Sequence, residues 1–380
     1  MGVSSLLVCV NSRIKASLIS SLRSPSGDVI SDLPGMSSLC TSFFQQLYSG
    51  SQHVTPDPSF WSHVPPSQVS QDVSSRLSLP FSLAEVSRAI SSLPKGKTPG
   101  PDGLSGELFR TFRTHFTPVL HSLFIGSQDS LPPSMLQGRT VLIPKKTDAT
   151  VVDNLRPITL MNTDYKVLAI CLANRLQPLL PSLINHSQTA FIKSRKIGDT
   201  LNDTLDIFDW ATAQALPLLA LTVDIRKAYG MVDREFLFKC LAHIGLPSSF
   251  IKWVKIMHSG TITCISVNNL CGPPIPVQTG VRQSCPLAPL LFLCVIEALD
   301  DAVGNFLSAS KFKSAGRTTR LLTHAVIYNK VEHGGLGAIR PSMQIKALNI
   351  QRALRRFSPH PGAAVARTCG SAALSALGLD

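Results

Sequence analysis

Acidic side chains are scarce in this chain of 380 residues: 23 Asp and Glu stand against 36 Lys and Arg, for a formal net charge of +13. Such an excess suits a polyanionic partner, because each Lys or Arg beside a phosphate releases condensed counterions. Plain solubility is the other use of the same charge. Also missing is any CxxC or Cys/His ligand spacing. The nine cysteines, Cys9, Cys40, Cys171, Cys240, Cys264, Cys271, Cys285, Cys294 and Cys369, are scattered and odd in number. That argues against a zinc site and for a reducing compartment. The opening MGVSSLLVCV has neither a charged leader nor a full apolar stretch, and Leu6 stands where myristoylation needs Ser or Thr. The longest apolar run, near Leu287 to Ile296, is too short to span a bilayer and contains Pro289. These absences predict an intracellular protein, nuclear or cytoplasmic, without a membrane partner.

What is present is core-forming. With 44% hydrophobic residues, the chain can bury a sizeable interior and is no disordered polymer. Residues 1–80, rich in Ser and Pro, read as a weakly structured lead-in with a helical patch around LCTSFFQQLYSG. At Ser82 the texture changes: Glu85 follows as in a capping box, and Leu83, Val86, Ile90 and Leu93 keep helical spacing. GELFRTFRTHFTPVLHSLF predicts a second helix, TVLI a strand, and RPITLMNTDYKVLAICLANRL a short strand followed by a helix. LLALTVDI is a continuous apolar run ending at Asp224, the pattern of a buried central strand with a functional tip. Helical sequence then breaks at Gly245–Pro247, TITCISVNN leads a strand into a turn at Asn268–Asn269, and Leu287, Leu290, Leu291, Cys294, Val295, Ala298 and Leu299 form one apolar helical stripe. Beyond Asn305 the pattern weakens, and SMQIKALNIQRALRRF predicts a last helix before a Pro/Ala/Gly tail.

The order of the motifs is more informative than any one of them. KGKTPGPDGL, LIPKK, NLRPITLMNTDYKVLA, NRL, QTAFIKSR, VDIRKAYGMVD, GVRQSCPLAP and GGLGAIR follow one another along the chain. Together they resemble the reverse transcriptase of a LINE-type, non-LTR retrotransposon over roughly residues 80–305, with a patch near 331–356. The resemblance implies an α+β, right-hand polymerase fold: fingers and a partial palm, an antiparallel sheet with packed helices. It implies an RNA template, a DNA primer and deoxynucleoside triphosphates as partners, with Mg2+ or Mn2+ as cofactor; no obligate protein partner is inferred. One metal lowers the pKa of the attacking 3′-hydroxyl and a second neutralises the leaving pyrophosphate, and hard cations take carboxylate oxygens. Asp224 matches the family's first metal ligand, a catalytic carboxylate; taken alone, it is a strand-end acid capping a turn. Tyr229 matches the aromatic that crowds the sugar's 2′ position; alone, it is a core aromatic. Lys145 and Arg156 match fingers residues that hold the triphosphate, and Gln283 matches a glutamine of the nucleotide pocket. Solvated surface cations and an exposed loop amide are the plainer alternatives. Basic density supports nucleic-acid tracking, with nine Lys/Arg against three acids in 138–196 and ten against two in 301–356.

Three departures from the pattern bear on activity. Gly230 replaces the second Asp of the first motif, and Ser284 replaces a glycine that lets the backbone approach the nucleotide. The YADD or FADD hairpin that should follow is missing: the one candidate, ALDD at Ala298–Asp301, continues a helix. The chain then passes to VEHGGLGAIR, which resembles a segment well beyond the thumb, so an internal deletion or mis-spliced gene is the simplest account. The expected division is a lead-in over 1–80, fingers and partial palm over 81–305, and a basic remnant with a low-complexity tail over 306–380. The expected function is a polymerase domain by descent, inactive and with metal binding weak or lost. The alternative is a non-enzymatic nucleic-acid-binding remnant using the basic fingers.

Overall fold

A computed structural model describes residues 18–50, 58–64, 69–127, 129–145, 150–186, 188–213, 223–224 and 227–309, with short pairs at 313–314, 317–318 and 344–345. In chain order the strands are β1 (Leu22–Arg23), β2 (Val29–Ile30), β3 (Gln137–Pro144), β4 (Leu155–Met161), β5 (Val223–Asp224), β6 (Ile262–Val267) and β7 (Leu270–Pro276). The helices used below are α1 (Leu33–Tyr48), α2 (Gln71–Ser78), α3 (Leu83–Ser91), α4 (Gly106–Thr111), α5 (Arg113–Gly126), α6 (Thr163–Leu176), α7 (Ile197–Ala213), α8 (Arg234–His243), α9 (Ser248–His258) and α10 (Ala288–Ala309). Single helical turns occupy Pro133–Leu136 and Leu180–Leu183. The architecture is α+β, sheets with packed helices, as the sequence implies.

Two compact units divide the chain. The first comprises Met1–His53, Ser75–Ala173 and Ser248–Ala288. Its four-stranded sheet has the order β4-β3-β6-β7. The sequence implies an antiparallel sheet; the observed one is mixed, because β3 and β6 run parallel, Gln137 opposite Ile262 through Val141 opposite Ser266. Parallel pairing needs a long crossover, and over a hundred residues separate these strands. β3–β4 and β6–β7 are antiparallel hairpins. Asn268 and Asn269 take φ of 46° and 72°, the paired left-handed residues of a tight two-residue turn.

Alternation sorts the sheet's two faces. Leu142, Leu155, Ile265, Val267 and Ile275 point into a core that α1 completes with Met36, Cys40, Phe44 and Tyr48, each four residues from the last. Asp32 caps α1 by accepting from the Gly35 N–H at 2.7 Å, and Pro34 sits in its first turn. The lead-in thus departs from its reading as weakly structured over residues 18–48. Ser and Pro richness describes its caps and turns, while the four-residue spacing of large apolar side chains makes it part of the core. The capping box at Ser82 and Glu85 forms in full. The second predicted helix breaks in two at Phe112, whose φ of −101° and ψ of 33° leave the helical region.

The second unit comprises Val54–Ser74, Asn174–Pro247 and Pro289–Asp380. Within it Phe60, Trp61 and Phe236 form an aromatic cluster with centroids 5.1–5.6 Å apart. Residues Leu290 to Ala298 of α10 are buried without exception, so this stretch of the helix is enclosed around its circumference rather than along one stripe. Of the apolar run LLALTVDI, only Val223–Asp224 is described, as a strand paired with Gln344–Ile345. That pairing falls inside the segment expected to be the last helix, which otherwise lies outside the described residues, as does nearly all of 306–380. Among the described residues, no helix is long and apolar enough to cross a membrane.

Candidate nucleotide and nucleic-acid site

Lys145 and Arg156 are brought together by strand register. Ile143 pairs with Arg156, and the ladder continues with the Lys145 N–H donating to the Asn154 carbonyl at 3.0 Å. Lys145 and Arg156 therefore share one face as diagonal neighbours, with Cα atoms roughly 7–8 Å apart by sheet geometry. Lys145 is exposed and its Nζ donates to the Asp153 carbonyl at 3.2 Å; Arg156 is half-buried, and its guanidinium makes no hydrogen bond or ion pair among the described residues. Two cations held this close, one of them a planar fork without a side-chain partner among the described residues, fit a multiply charged anion.

Gln283 lies in the turn between β7 and α10 and does not join that pair. The preceding residue, Arg282, reaches the Leu136 carbonyl at the start of β3, whereas Lys145 follows the far end of that strand. Eight strand residues at ~3.3 Å each separate the two ends, roughly 26 Å. The Gln283 amide oxygen is buried without a hydrogen-bond partner among the described residues. Ser284, beside it, holds φ of 76°. The family's glycine at this position is thus explained by a left-handed backbone in addition to close approach, and serine sits there under strain.

Asp224 and Tyr229 belong to the second unit. Asp224 ends β5, and its side chain lies outside the described residues. Lys227 turns the chain with φ of 55° into the short 3-10 turn Ala228–Gly230. Tyr229 is 3% exposed, its ring 5.0 Å from that of Phe292, and its hydroxyl is buried without a partner among the described residues. Burial pushes its phenol well above the ordinary tyrosine range. A Cβ at Gly230 would meet nothing within 4 Å, so the missing Asp is not excluded by space.

Several basic residues counted from the sequence are committed to the protein itself. Arg195 donates to the carbonyls of Pro181, Ile184, Asn185 and Gln188, closing the end of the turn Leu180–Leu183, where carbonyls lack helical partners. Glu297 accepts from the Asn185 N–H at 2.9 Å on the same segment. Burial, then Asp301 and Asp300, push the Glu297 carboxyl up to about 7, against the Asn185 N–H and Arg195. Arg139 donates to Ser266 Oγ at 3.0 Å and the Asn269 carbonyl at 3.3 Å. Burial lowers the pKa of Lys166, and it raises Asp164, beside Asp102, to about 6.

The TPGPDG loop also has a packing role that residue types alone do not announce. A Cβ at Gly100 would overlap the Asn162 backbone nitrogen and side-chain oxygen. The Asp102 N–H donates to that same oxygen at 3.2 Å, and Thr163 Oγ1 donates to the Leu104 carbonyl at 2.7 Å. Two of the ordered motifs are therefore locked to each other.

Residues 143–312 match the family described as reverse transcriptase (RNA-dependent DNA polymerase). Over 283 residues the chain is 30% identical to the transposon TX1 uncharacterized 149 kDa protein of Xenopus laevis, covering 73% of this chain and 21% of that protein. It is 26% identical over 216 residues to a retrovirus-related Pol polyprotein from a type-1 retrotransposable element R2 of Nasonia vitripennis, covering 56% of this chain and 21% of that relative. For the corresponding R2 polyprotein of Popillia japonica the identity is 28% over 226 residues, 58% of this chain and 30% of the relative.

Residues 143–312 thus carry a reverse-transcriptase segment similar to those of non-LTR retrotransposons. The chain spans between about a fifth and a third of the length of these relatives. The reverse-transcriptase segment opens at Ile143, on the strand that leads to Lys145, and includes Arg156, Asp224, Tyr229 and Gln283. Reverse transcriptases as a family work with Mg2+. Among the described residues, no group of three or more His, Cys, Asp or Glu side chains is placed to hold a metal ion.

Proposed function

We propose that this chain is a reverse-transcriptase domain by descent that does not polymerise DNA, because it lacks the paired carboxylates of the family's metal site. One observation carries the reading. Asp300–Asp301 is the only pair of adjacent acidic residues in the chain, and it lies within α10. The family's pair sits at a tight turn between strands. Asp224 is then a single ligand facing up to two cations, without the charge stabilisation of several kcal/mol that metals supply to the transition state. On this reading residues 81–305 are fingers and a partial palm, the thumb and YADD hairpin are absent, and 306–380 are a basic remnant. Lys145 and Arg156 are the candidates for holding a triphosphate; Gln283, by the far end of β3, and Tyr229, in the second unit, keep the nucleotide-pocket and sugar roles that family resemblance gives them. RNA template, DNA primer and deoxynucleoside triphosphates are the partners by lineage, and Mg2+ or Mn2+ binding is weak or lost.

Primer extension on an RNA template, with Mg2+ or Mn2+, tests this. No incorporation is expected. RNA-dependent incorporation that disappears in Asp224→Ala overturns the proposal. A second reading, a nucleic-acid-binding remnant using the basic fingers, is favoured by the two cations Lys145 and Arg156 lying together on one face of the sheet.

A further inference from the structure

Arg282 has no role in the reading above, yet it is among the most enclosed charged side chains described, at 5% exposure. Its guanidinium carbon lies 4.9 Å from the centroid of the Tyr165 ring, and Nη2 donates to the Leu136 carbonyl. Nη1 is buried and without a partner among the described residues. Tyr165 is itself fully buried at the start of α6, its hydroxyl donating to the Met257 carbonyl at 3.4 Å. One side chain thus ties together α6, the turn entering β3, and the turn that carries Gln283.

That turn needs holding. It runs between two left-handed residues, Gly280 and Ser284, both with φ of 76°. Within it the Cys285 N–H donates to the Arg282 carbonyl at 3.1 Å. A guanidinium taken out of water without a carboxylate is costly, and an apolar side chain would fill the space without that penalty. What the guanidinium adds is a flat face for the tyrosine together with directed donors in its plane, which Lys and Met do not provide.

We propose that Arg282 is a positioning residue: by clamping the turn between Gly280 and Ser284 it fixes the backbone from which the Gln283 amide projects. The proposal rests on the reading of Gln283 as part of the nucleotide pocket. It assigns Arg282 no contact with substrate.

The test uses the full chain with an RNA template, a DNA primer and Mn2+, and reads binding of a fluorescent deoxynucleoside triphosphate without turnover. Arg282→Met and Gln283→Ala each weaken binding about tenfold or more, and the double variant is no weaker than Gln283→Ala alone, since one residue acts through the other. Arg282→Lys, which keeps the charge but loses the flat face, is as weak as Arg282→Met. Effects that multiply in the double variant, or full rescue by Lys, overturn the proposal. Amide hydrogen exchange at residues 281–284 is followed in the same proteins. It accelerates in both Arg282 variants while β6 and β7 stay protected; unchanged exchange overturns the clamp. A wild-type chain that binds no nucleotide refutes the pocket and with it the role given to Gln283. Exchange still decides whether Arg282 clamps the turn.

Discussion

Ser284 shows how one atom group decides a local question. The left-handed backbone there strains a non-glycine residue by ~1–2 kcal/mol, while glycine gives back roughly 0.5–1 kcal/mol through greater freedom of the unfolded chain. The first term is the larger, so Ser284→Gly is expected to stabilise the protein by about 0.5–1 kcal/mol in urea denaturation. A loss of stability would show that the turn does not hold its positive φ in solution. Lys145 and Arg156 were legible as a pair from PKK and RPIT, and their shared face follows from period-2 alternation once the register is known. Arg282 was not legible as a clamp. Its residue type predicts an exposed cation, and its partners, Tyr165 and Leu136, lie more than a hundred residues away in the chain.

At the scale of elements, α1 carries the largest difference from expectation. Phe44 is 1% exposed within the stripe that closes the sheet. Phe44→Ala is expected to destabilise the protein by about 3–5 kcal/mol, read as a lower urea midpoint; an unchanged midpoint would return the segment to the status of a loose lead-in. In α10, the raised Glu297 pKa has a definite sign. The model-compound value is 4.5 and the folded value about 7, so between them the folded state keeps a proton that the unfolded chain has released. The stability this group contributes is present below pH 4.5, falls as pH rises, and is gone above about 7. Facing it are Arg195 and the Asn185 N–H from one segment and Asp300 and Asp301 from its own helix, with His243 beside Asp301. Glu297→Gln removes that dependence, so its Tm should gain on the wild type between pH 5 and 8. A Tm difference equal at both pH values would count against the account.

For the whole molecule, the net charge of +13 sets a test of the nucleic-acid reading. Binding of single-stranded RNA through about three phosphate contacts should weaken on the order of tenfold or more between 50 and 200 mM salt, from a slope of ~0.7 per contact. Removing Lys145 and Arg156 together should lower that slope by about 1.4. An unaltered slope would place the RNA elsewhere. Because Arg139 and Arg195 already hold backbone carbonyls, the basic count over 138–196 overstates the cations available for such contacts.

By itself the amino-acid sequence determined the lineage, the α+β class, the capping box at Ser82, the break at Gly245–Pro247 and the turn at Asn268–Asn269, because each depends on neighbours within a few residues or on motif order. Tertiary structure alone decided that β3 and β6 run parallel, that residues 290–298 of α10 are enclosed all round, and that Arg282, Arg195 and Glu297 are held within the protein. Those outcomes depend on which distant segments share a surface, and burial changes what a charged side chain does. No local pattern carries that information.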